Sequence, residues 1–572
     1  MKYVEILKKN LELKKTNSNP NYKVAILSNV IVNEIKEILE FYLRDNGINV
    51  KVDIADYDNI VQESKKFSNH DAVLIFWESI NFNDGFHYEQ LILDTKKISK
   101  IESKVKSEIS LVFNNLKTTS LVIFNKFSSY LFDSSPVIQT ELSKISYNLN
   151  HYLSDNLPNN FIPVDIDLII SKLGLKKSKD FRKFYSSKSL YSLEYYIHYV
   201  KEIIPLFLSV KGKIKKVLVM DCDNTLWGGI LGEDGFDGIK MDKASVPGKI
   251  FYEIQHILLS LKNQGVLLGI CSKNNLEDVE NVLKNHPEIV LNNEDFVIKK
   301  VNWNDKASNL KEISKELNLG IDSIVFVDDS KFEIGLINSK VPEIETLLVP
   351  TNLTEYPSKF YELKNFFLKP NISEEDSLKT KMYLDENKRK ESVNTFSSID
   401  DYLSSLGLEL TLYWNDLSKM PRSSQLTQKT NQFNLTTKRY TEPEILKMIE
   451  DNNFDVGIFS LKDSFGDYGL TGFVIIKKIN DMKCEIDSLM LSCRVLGRNV
   501  EYVFFDEIVK KMIKSKRNEL FATFVRSNKN SQVEDFYDKL GFSMITKEKD
   551  KTTYKINLKK FKFSKFNYIN VE

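Results

Sequence analysis

Short apolar runs alternate with longer amphipathic stretches along the first 205 residues of the chain. Runs bounded by polar residues in this way are typical of buried strands, and the stretches between them suit helices. The alternation predicts βαβ units around a parallel sheet. The predicted strands cover residues 23–27, 50–54, 72–77, 120–124 and 161–164.

A second group of runs predicts another α/β unit, with strands at 217–220, 266–270 and 323–327. The charged stretch 366–400 predicts a helical or loose connector. The last group predicts an α+β unit with strands at 408–412, 456–461, 472–476, 484–490 and 520–524. We therefore expect a three-domain α/β protein, with domains at 1–205, 206–365 and 401–572 and a linker at 366–400.

Composition narrows the function classes. A chain of 572 residues needs several cores, and 42% hydrophobic with 28% charged residues is ordinary globular material. The formal charge of +1 gives no support for a nucleic-acid partner held by charge. The four cysteines form no Cys-x-x-Cys pair, and no apolar run is long enough for a membrane span or a signal core. We expect a cytoplasmic protein without a membrane partner.

Two carboxylates, Asp221 and Asp223, follow the apolar run 217–220. The carboxyl ends of strands are where open α/β sheets bind ligands. One carboxylate can attack phosphorus while the other handles the proton of the leaving group. Carboxylate and phosphate repel each other, so this chemistry needs a cation with oxygen ligands, and we expect Mg²⁺.

Three further groups follow in the order that such a site requires. Ser272 ends a predicted strand and can bind phosphate, together with the neighbouring Lys273. Lys306 opens a helical stretch and can neutralise charge that develops in the reaction. Asp328 and Asp329 end the strand at 323–327 and can complete the metal site.

These motifs resemble those of the haloacid dehalogenase (HAD) superfamily. The segment 215–235, KKVLVMDCDNTLWGGILGEDG, resembles the FkbH-like family of HAD subfamily IIIC, as do VNWNDK at 301–306 and LNLG at 317–320. The resemblance covers nearly the whole chain. It implies Asp221 as the nucleophile and a metal ligand, and Asp223 as the general acid/base that also contacts Mg²⁺ through its backbone carbonyl. It further implies Thr225 and Ser272 as phosphate ligands. It also implies Lys306 as the charge-stabilising cation and Asp328 with Asp329 as metal ligands.

The gaps between these motifs leave no room for a large cap domain. About 40 residues separate Thr225 from the strand at 266, and 33 lie between Ser272 and Lys306. A cap-poor HAD core with Rossmann-like topology is therefore expected. An open site would admit a carrier-bound substrate, and it would equally suit a phosphoprotein.

The family resemblance implies a glyceryltransferase/phosphatase. Such a protein would load a glyceryl unit from D-1,3-bisphosphoglycerate, a phosphorylated three-carbon substrate, onto the phosphopantetheine thiol of an acyl carrier protein. The alternatives are a HAD phosphatase for a small phosphorylated metabolite and a non-catalytic carrier-docking scaffold. Cys222 lies between the two aspartates and is either a covalent way station for the acyl group or a buried filler.

The first predicted domain resembles a degenerate SGNH hydrolase with a flavodoxin-like arrangement. Ser28 follows the first predicted strand, where that family places its nucleophile. The sequence there is ILSN rather than Gly-Asp-Ser, and Leu168 stands where a histidine would follow Asp165. Without a base the serine is a weak nucleophile, so the domain is expected to be non-catalytic.

The last predicted domain resembles a GNAT acyltransferase. The segment RVLGRN at 494–499 is similar to the loop that binds the pyrophosphate of acyl-CoA, although Asn499 departs from the usual Gly or Ala. We interpret the domain as a binder of CoA or carrier phosphopantetheine. The candidate residues are Arg494, Gly497, Arg498, Asn530 and Tyr537.

Overall fold

The structure, a computed structural model, describes residues 1–16, 19–132, 137, 139–368, 374–393, 396, 398–527 and 529–572. The chain divides into two compact units. The first contains Met1–Lys211 with Thr441–Glu444, and the second contains Gly212–Tyr440 with Ile445–Glu572. The three sheets show that the protein has the mixed α/β fold predicted from its sequence. The domain boundaries given above stay predictions.

The first unit contains a five-stranded parallel sheet in the order β2-β1-β3-β4-β5. Its strands are almost continuously apolar because helices cover both faces of a parallel sheet. All five predicted strands are present, with ends within one residue of the prediction. The elements are α1 (Tyr3–Thr16), β1 (Tyr22–Ser28), α2 (Ile35–Asp45), β2 (Val50–Ile54), α3 (Ile60–Lys66), β3 (Ala72–Phe76), α4 (Phe86–Glu89), α5 (Thr95–Asn115), β4 (Leu121–Asn125), α6 (Glu141–Asn156), β5 (Phe161–Val164), α7 (Ile166–Leu173), α8 (Leu175–Ser178), α9 (Phe181–Ser187) and α10 (Leu193–Val210).

The second sheet is also parallel, in the order β10-β9-β6-β7-β8. The three predicted strands of this unit are its three central strands. The elements are β6 (Val217–Met220), α11 (Leu231–Asp234), α12 (Val246–Asn263), β7 (Leu267–Ser272), α13 (Leu276–Asn285), β8 (Phe296–Val301), α14 (Lys306–Glu316), β9 (Ile324–Asp328), α15 (Lys331–Lys340), β10 (Glu345–Leu348) and α16 (Tyr356–Leu363).

Most of the described residues of the predicted connector are helical, and residues 369–373, 394–395 and 397 of it lie outside the described residues. It forms α17 (Glu374–Ser377), α18 (Lys379–Val393) and α19 (Ile399–Ser405). Helix α18 contacts both neighbouring sheets. Its Asn387 Nδ2 donates to Val297 O on β8, and its Arg389 makes two hydrogen bonds to Asp463.

The third sheet has nine strands, in the order β17-β18-β16-β15-β14-β13-β11-β19, with β12 paired to β15. It is mostly antiparallel, and the five predicted strands are present. Its elements are β11 (Leu408–Trp414), α20 (Met420–Lys429), β12 (Phe433–Asn434), α21 (Glu442–Glu450), β13 (Phe454–Asp463), β14 (Gly466–Lys478), β15 (Lys483–Leu491), α22 (Val500–Lys514), β16 (Glu519–Val525), α23 (Phe536–Lys539), β17 (Ser543–Lys547), β18 (Lys551–Asn557) and β19 (Ile569–Val571). Within the described part of the chain, none of the helices has the length and apolar character that a membrane crossing requires.

Candidate active site

The acidic residues lie at one edge of the second sheet, where its central strands end. In the parallel register Met220 lies beside Ile270 and Val327, so β6, β7 and β9 end together. Asp221 follows β6, and its amide donates to Val327 O over 3.0 Å. Ser272 ends β7 and Asp328 ends β9. Parallel strands thereby bring together side chains that lie far apart in the sequence.

Three carboxylates meet at this edge. One oxygen each of Asp221, Asp328 and Asp329 lies within 4.8 Å of the other two. Asp221 and Asp328 are buried, whereas Asp329 is exposed. Carboxylate oxygens are the ligands that Mg²⁺ prefers, so the donor set suits that cation.

Lys306 is the cation of this cluster. Its Nζ lies 2.6 Å from Asp328 Oδ2 and 3.1 Å from Asp221 Oδ1. Burial works to lower the pKa of Lys306, but the charges of Asp221 and Asp328 outweigh it and raise that pKa above its usual value. The side chain therefore stays an ammonium group.

The negative charge of the three carboxylates exceeds the positive charge of Lys306. Burial, opposed by the charge of Lys306, raises the pKa of Asp328 to about 6. Burial and the charge of Asp221 raise the pKa of Asp329. Three carboxylates share one ammonium, so a bound divalent cation would relieve their repulsion. Nearby, the buried Thr225 Oγ1 has no hydrogen-bond partner within the described structure, which leaves it available to a phosphate oxygen.

Asp223 stands outside the three-carboxylate cluster and is held by three donors. Its Oδ1 accepts hydrogen bonds from Trp227 Nε1 and from the Leu231 amide, each over 3.0 Å. Its Oδ2 accepts from Asn274 Nδ2, also over 3.0 Å. Trp227 and Asn274 were not among the site residues predicted from the sequence. A buried tryptophan four residues after Asp223 was visible in the sequence, but its contact with that carboxylate was not.

The predicted phosphate ligands are distributed around the same edge. Ser272 is buried, and its Oγ accepts from Asn274 Nδ2 over 3.3 Å. Lys273 is more exposed, and its Nζ pairs with Glu333 Oε1 at 2.7 Å. A phosphate would therefore have to compete with Glu333 for this ammonium. The phosphate-binding roles of Thr225, Ser272 and Lys273 stay predictions.

Cys222 is completely buried between the two aspartates. Burial, and then the charge of Asp221, raise the pKa of its thiol well above the usual range. A thiol must ionise to attack an acyl group, so this environment disfavours the covalent role. That role stays a prediction.

In the first unit, Ser28 is engaged in a local turn. Its Oγ donates to Val30 O over 2.7 Å and accepts from the Val30 amide over 3.0 Å. Asp165, which precedes the position of the missing histidine, caps helix α7 by accepting from the Leu168 amide. These contacts give the serine and the aspartate structural partners. The prediction that this domain is non-catalytic is not tested by them.

The GNAT-like candidates contact other parts of the protein. Arg498 makes two hydrogen bonds to Glu386 on α18, over 2.9 and 2.8 Å, and Arg494 reaches Met382 on the same helix. The buried Asn530 donates to Asn434 O and Val525 O, and Tyr537 lies in the core of the sheet. Gly497 has a φ of +80°, which favours glycine. CoA binding by these five residues stays a prediction.

No family model matches the chain. A segment of 127 residues is 30% identical to an uncharacterized transmembrane protein of Dictyostelium discoideum. That match covers 21% of this chain, and the chain spans about half of the relative's length, 54%.

Among solved structures, the chain is similar to the N-terminal part of a Bacteroides fragilis protein that contains a phosphatase domain and was crystallised with Mg. The identity is 23%, the TM-score is 0.56, and the match covers 65% of this chain and 100% of that one. An acetyltransferase of the GNAT family from Desulfovibrio desulfuricans is 11% identical, with a TM-score of 0.22 over 26% of this chain and 99% of that one. The first likeness shows that 65% of the chain shares the fold of that phosphatase-containing part.

Proposed function

We propose that the protein is a Mg²⁺-dependent phosphoryl-transfer enzyme of the HAD type. The observation that carries the proposal is the cluster of three carboxylates within 4.8 Å of one another, with the ammonium of Lys306 at 2.6 and 3.1 Å from two of them. The cluster lies where parallel α/β sheets bind their ligands. A Mg²⁺ ion held by Asp221, Asp328 and Asp329 would supply Lewis-acid stabilisation of the phosphate charge.

In the proposed reaction, a carboxylate oxygen of Asp221 forms a bond to phosphorus while the bond from phosphorus to the leaving oxygen breaks. Asp223 transfers the proton to that oxygen. It later takes a proton from a water molecule that attacks phosphorus, which breaks the bond between phosphorus and Asp221 and releases phosphate. Lys306 balances the charge around Asp221. Thr225 and Ser272 donate hydrogen bonds to the phosphate oxygens.

The substrate proposed is D-1,3-bisphosphoglycerate, with an acyl carrier protein as the acceptor. The carrier thiol attacks the acyl carbon, the bond from that carbon to the oxygen of the C1 phosphate breaks, and the thiol proton leaves with the phosphate. The C3 phosphate is hydrolysed at Asp221. In support, the chain between β6 and β7 adds only the four-residue helix α11 and the core helix α12, so it contains no large cap over the site.

Hydrolysis of a small phosphorylated metabolite is the second candidate, because the same open carboxylate cluster would serve it. A non-catalytic docking scaffold is the third candidate. That function would not explain why the charged residues Asp221, Asp328 and Lys306 are buried together. Burying charge is costly unless the charges are paired or used.

The test is to incubate the protein with D-1,3-bisphosphoglycerate, Mg²⁺ and a phosphopantetheinylated carrier, followed by mass spectrometry of the carrier and a phosphate assay. A glyceryl mass on the carrier supports the transferase. Phosphate release without carrier acylation supports the plain phosphatase. Asp221→Asn should abolish release of the C3 phosphate, whereas the matched control Asp155→Asn, on an exposed position of α6, should not. Full activity of Asp221→Asn would refute the proposed nucleophile.

A further inference from the structure

Strands β15 and β16 of the third sheet diverge, and we call the gap between them the fork. Another segment of the chain fills this gap. Strands β15 and β16 pair only from Lys483–Glu519 to Ile486–Ala522. Beyond that point β12 pairs with the end of β15. The Leu435 amide donates to Leu489 O on β15, and Leu435 O accepts from the Val525 amide at the end of β16. The backbone of segment 433–435 therefore forms hydrogen bonds with both diverging strands.

Asn530 fixes this closing segment. Its side chain is completely buried and donates to Asn434 O and Val525 O, each over 2.9 Å. Its Oδ1 accepts from the Ser527 amide over 2.7 Å. A ligand cannot extend into the fork while these bonds are made, so any ligand here has to bind outside it.

Cationic side chains gather next to the closed fork. Lys529 precedes Asn530, and its Nζ lies 3.3 Å from Asp322 Oδ2. Lys216 lies just before β6. Its amide donates to the carbonyl oxygen of Ser323, the residue after Asp322, over 2.7 Å. Arg439 packs against the segment that joins α10 to β6, because a Cβ on Gly212 would lie 2.7 Å from Arg439 Nη1. Lys213 follows Gly212. We call these four residues, Lys213, Lys216, Arg439 and Lys529, the basic cleft.

The basic cleft has an excess of positive charge. Arg439 is bonded to two neutral oxygens, Gln428 O and Asn431 Oδ1. Burial, and then the charges of Lys529 and Arg439, lower the pKa of Lys213. Burial lowers the pKa of Lys216. The charges of Lys529 and Arg439 add to this effect, whereas Cys493 and Asp322 oppose it. Lys213 and Lys216 are thus repelled by Lys529 and Arg439, and an anion bound among the four residues would reduce that repulsion.

We propose that the basic cleft binds a phosphate or pyrophosphate group. Phosphate oxygens accept hydrogen bonds from both guanidinium and ammonium groups, and their charge would match the excess of the cleft. The site is separate from the carboxylate cluster, because Lys216 precedes β6 and Asp221 follows it. Four strand residues at about 3.3 Å each hold the two apart. The inference is therefore independent of the function proposed above.

The test uses isothermal titration of the full-length protein with inorganic pyrophosphate in buffer stripped of divalent ions, so that the carboxylate cluster repels the anion. We expect binding that weakens as salt rises. Lys216→Gln and the exposed Lys529→Gln should each weaken it about tenfold, as for the loss of one charge-assisted hydrogen bond. The matched control Lys359→Gln, on an exposed position of α16, should bind as the wild type does.

CoA is titrated in parallel to identify the source of the phosphate. Tighter binding of CoA than of pyrophosphate would support a nucleotide-linked ligand, and equal binding would support the free anion. The proposal is overturned if pyrophosphate gives no binding up to about 10 mM. It is equally overturned if the Lys216, Lys529 and Lys359 variants, all with wild-type circular dichroism spectra, bind with one affinity.

Discussion

Glu78 gives the first unit a calculable dependence of stability on pH. The residue follows β3, is almost completely buried, and its Oε1 accepts a hydrogen bond from Tyr191 OH over 2.7 Å. Burial, opposed by this hydrogen bond, raises the pKa of Glu78 from 4.5 to about 7. Between these values the folded state keeps a proton that the unfolded state releases.

The sign follows from that difference. The stabilisation is fully present below about pH 4.5 and is lost as the pH rises through 7, since folding must then either hold the proton or bury the charge. A shift from 4.5 to about 7 corresponds to roughly 3 kcal/mol at 1.36 kcal/mol per pKa unit. Glu78→Gln keeps an acceptor for Tyr191 and cannot ionise. The stability of this variant relative to the wild type should therefore increase by roughly 2.5 kcal/mol between about pH 5 and pH 8, because part of the effect is already lost at pH 5.

Hydrogen exchange of the β3 amides, followed by mass spectrometry, measures the effect in this unit without assuming that the whole chain unfolds in one step. Rates are corrected for the intrinsic pH dependence of exchange. Other titrating groups cancel in the difference between variant and wild type. A difference that is the same at pH 5 and pH 8 would show that Glu78 does not titrate as its burial implies.

Three further predictions concern the candidate active site and the cysteines. Lys306→Met should lower kcat by about a thousandfold, because it removes the ammonium beside Asp221; phosphate release measures this. Trp227→Phe should lower kcat by about tenfold with a small change in Tm, because it deletes the donor to Asp223 but keeps most of the packing. A maleimide should label Cys493 in the native protein before the three fully buried cysteines, as peptide mass spectrometry would show; these are Cys222, Cys271 and Cys484.

The two predictions on kcat have matched control variants. Lys359→Met tests the loss of an exposed lysine, and Trp303→Phe tests the same aromatic change on an exposed side chain. Equal kcat values for the two lysine variants would contradict the role of Lys306. A Trp227→Phe variant as active as Trp303→Phe would show that the indole N–H does not position Asp223. Early labelling of Cys222 would contradict its burial.

The sequence predicted the central strands of the second sheet but missed its edges. Strands β6, β7 and β9 are buried on both faces and appear as continuous apolar runs. The edge strand β8 carries Lys299 and Lys300, and the other edge strand, β10, is partly exposed. Charge and exposure on edge strands discourage further pairing, and they also break the apolar run by which a strand is recognised.

The sequence could not predict which side chains from distant segments contact one another at the candidate active site. The sequence places Asp221, Asp328 and Lys306 at element ends, and from there parallel pairing brings them together. The bond from Asn274 to Asp223 joins residues 51 positions apart, and no spacing rule anticipates it. Glu386 and Arg498 lie 112 positions apart and form an ion pair. The sequence alone suggests Arg498 as a ligand-binding residue, whereas in the structure it contacts another part of the protein.

The position of the third sheet constrains how the proposed transfer could occur. Gln432 Nε2 donates to Asn318 Oδ1, and Lys529 pairs with Asp322. Both contacted residues precede β9, so they lie at the amino-terminal edge of the second sheet, whereas the carboxylate cluster lies at the carboxyl-terminal edge. A carrier thiol that reaches Asp221 must therefore approach from the open side of that cluster. The third sheet can then serve the transfer only by binding the carrier or a phosphate group at a distance.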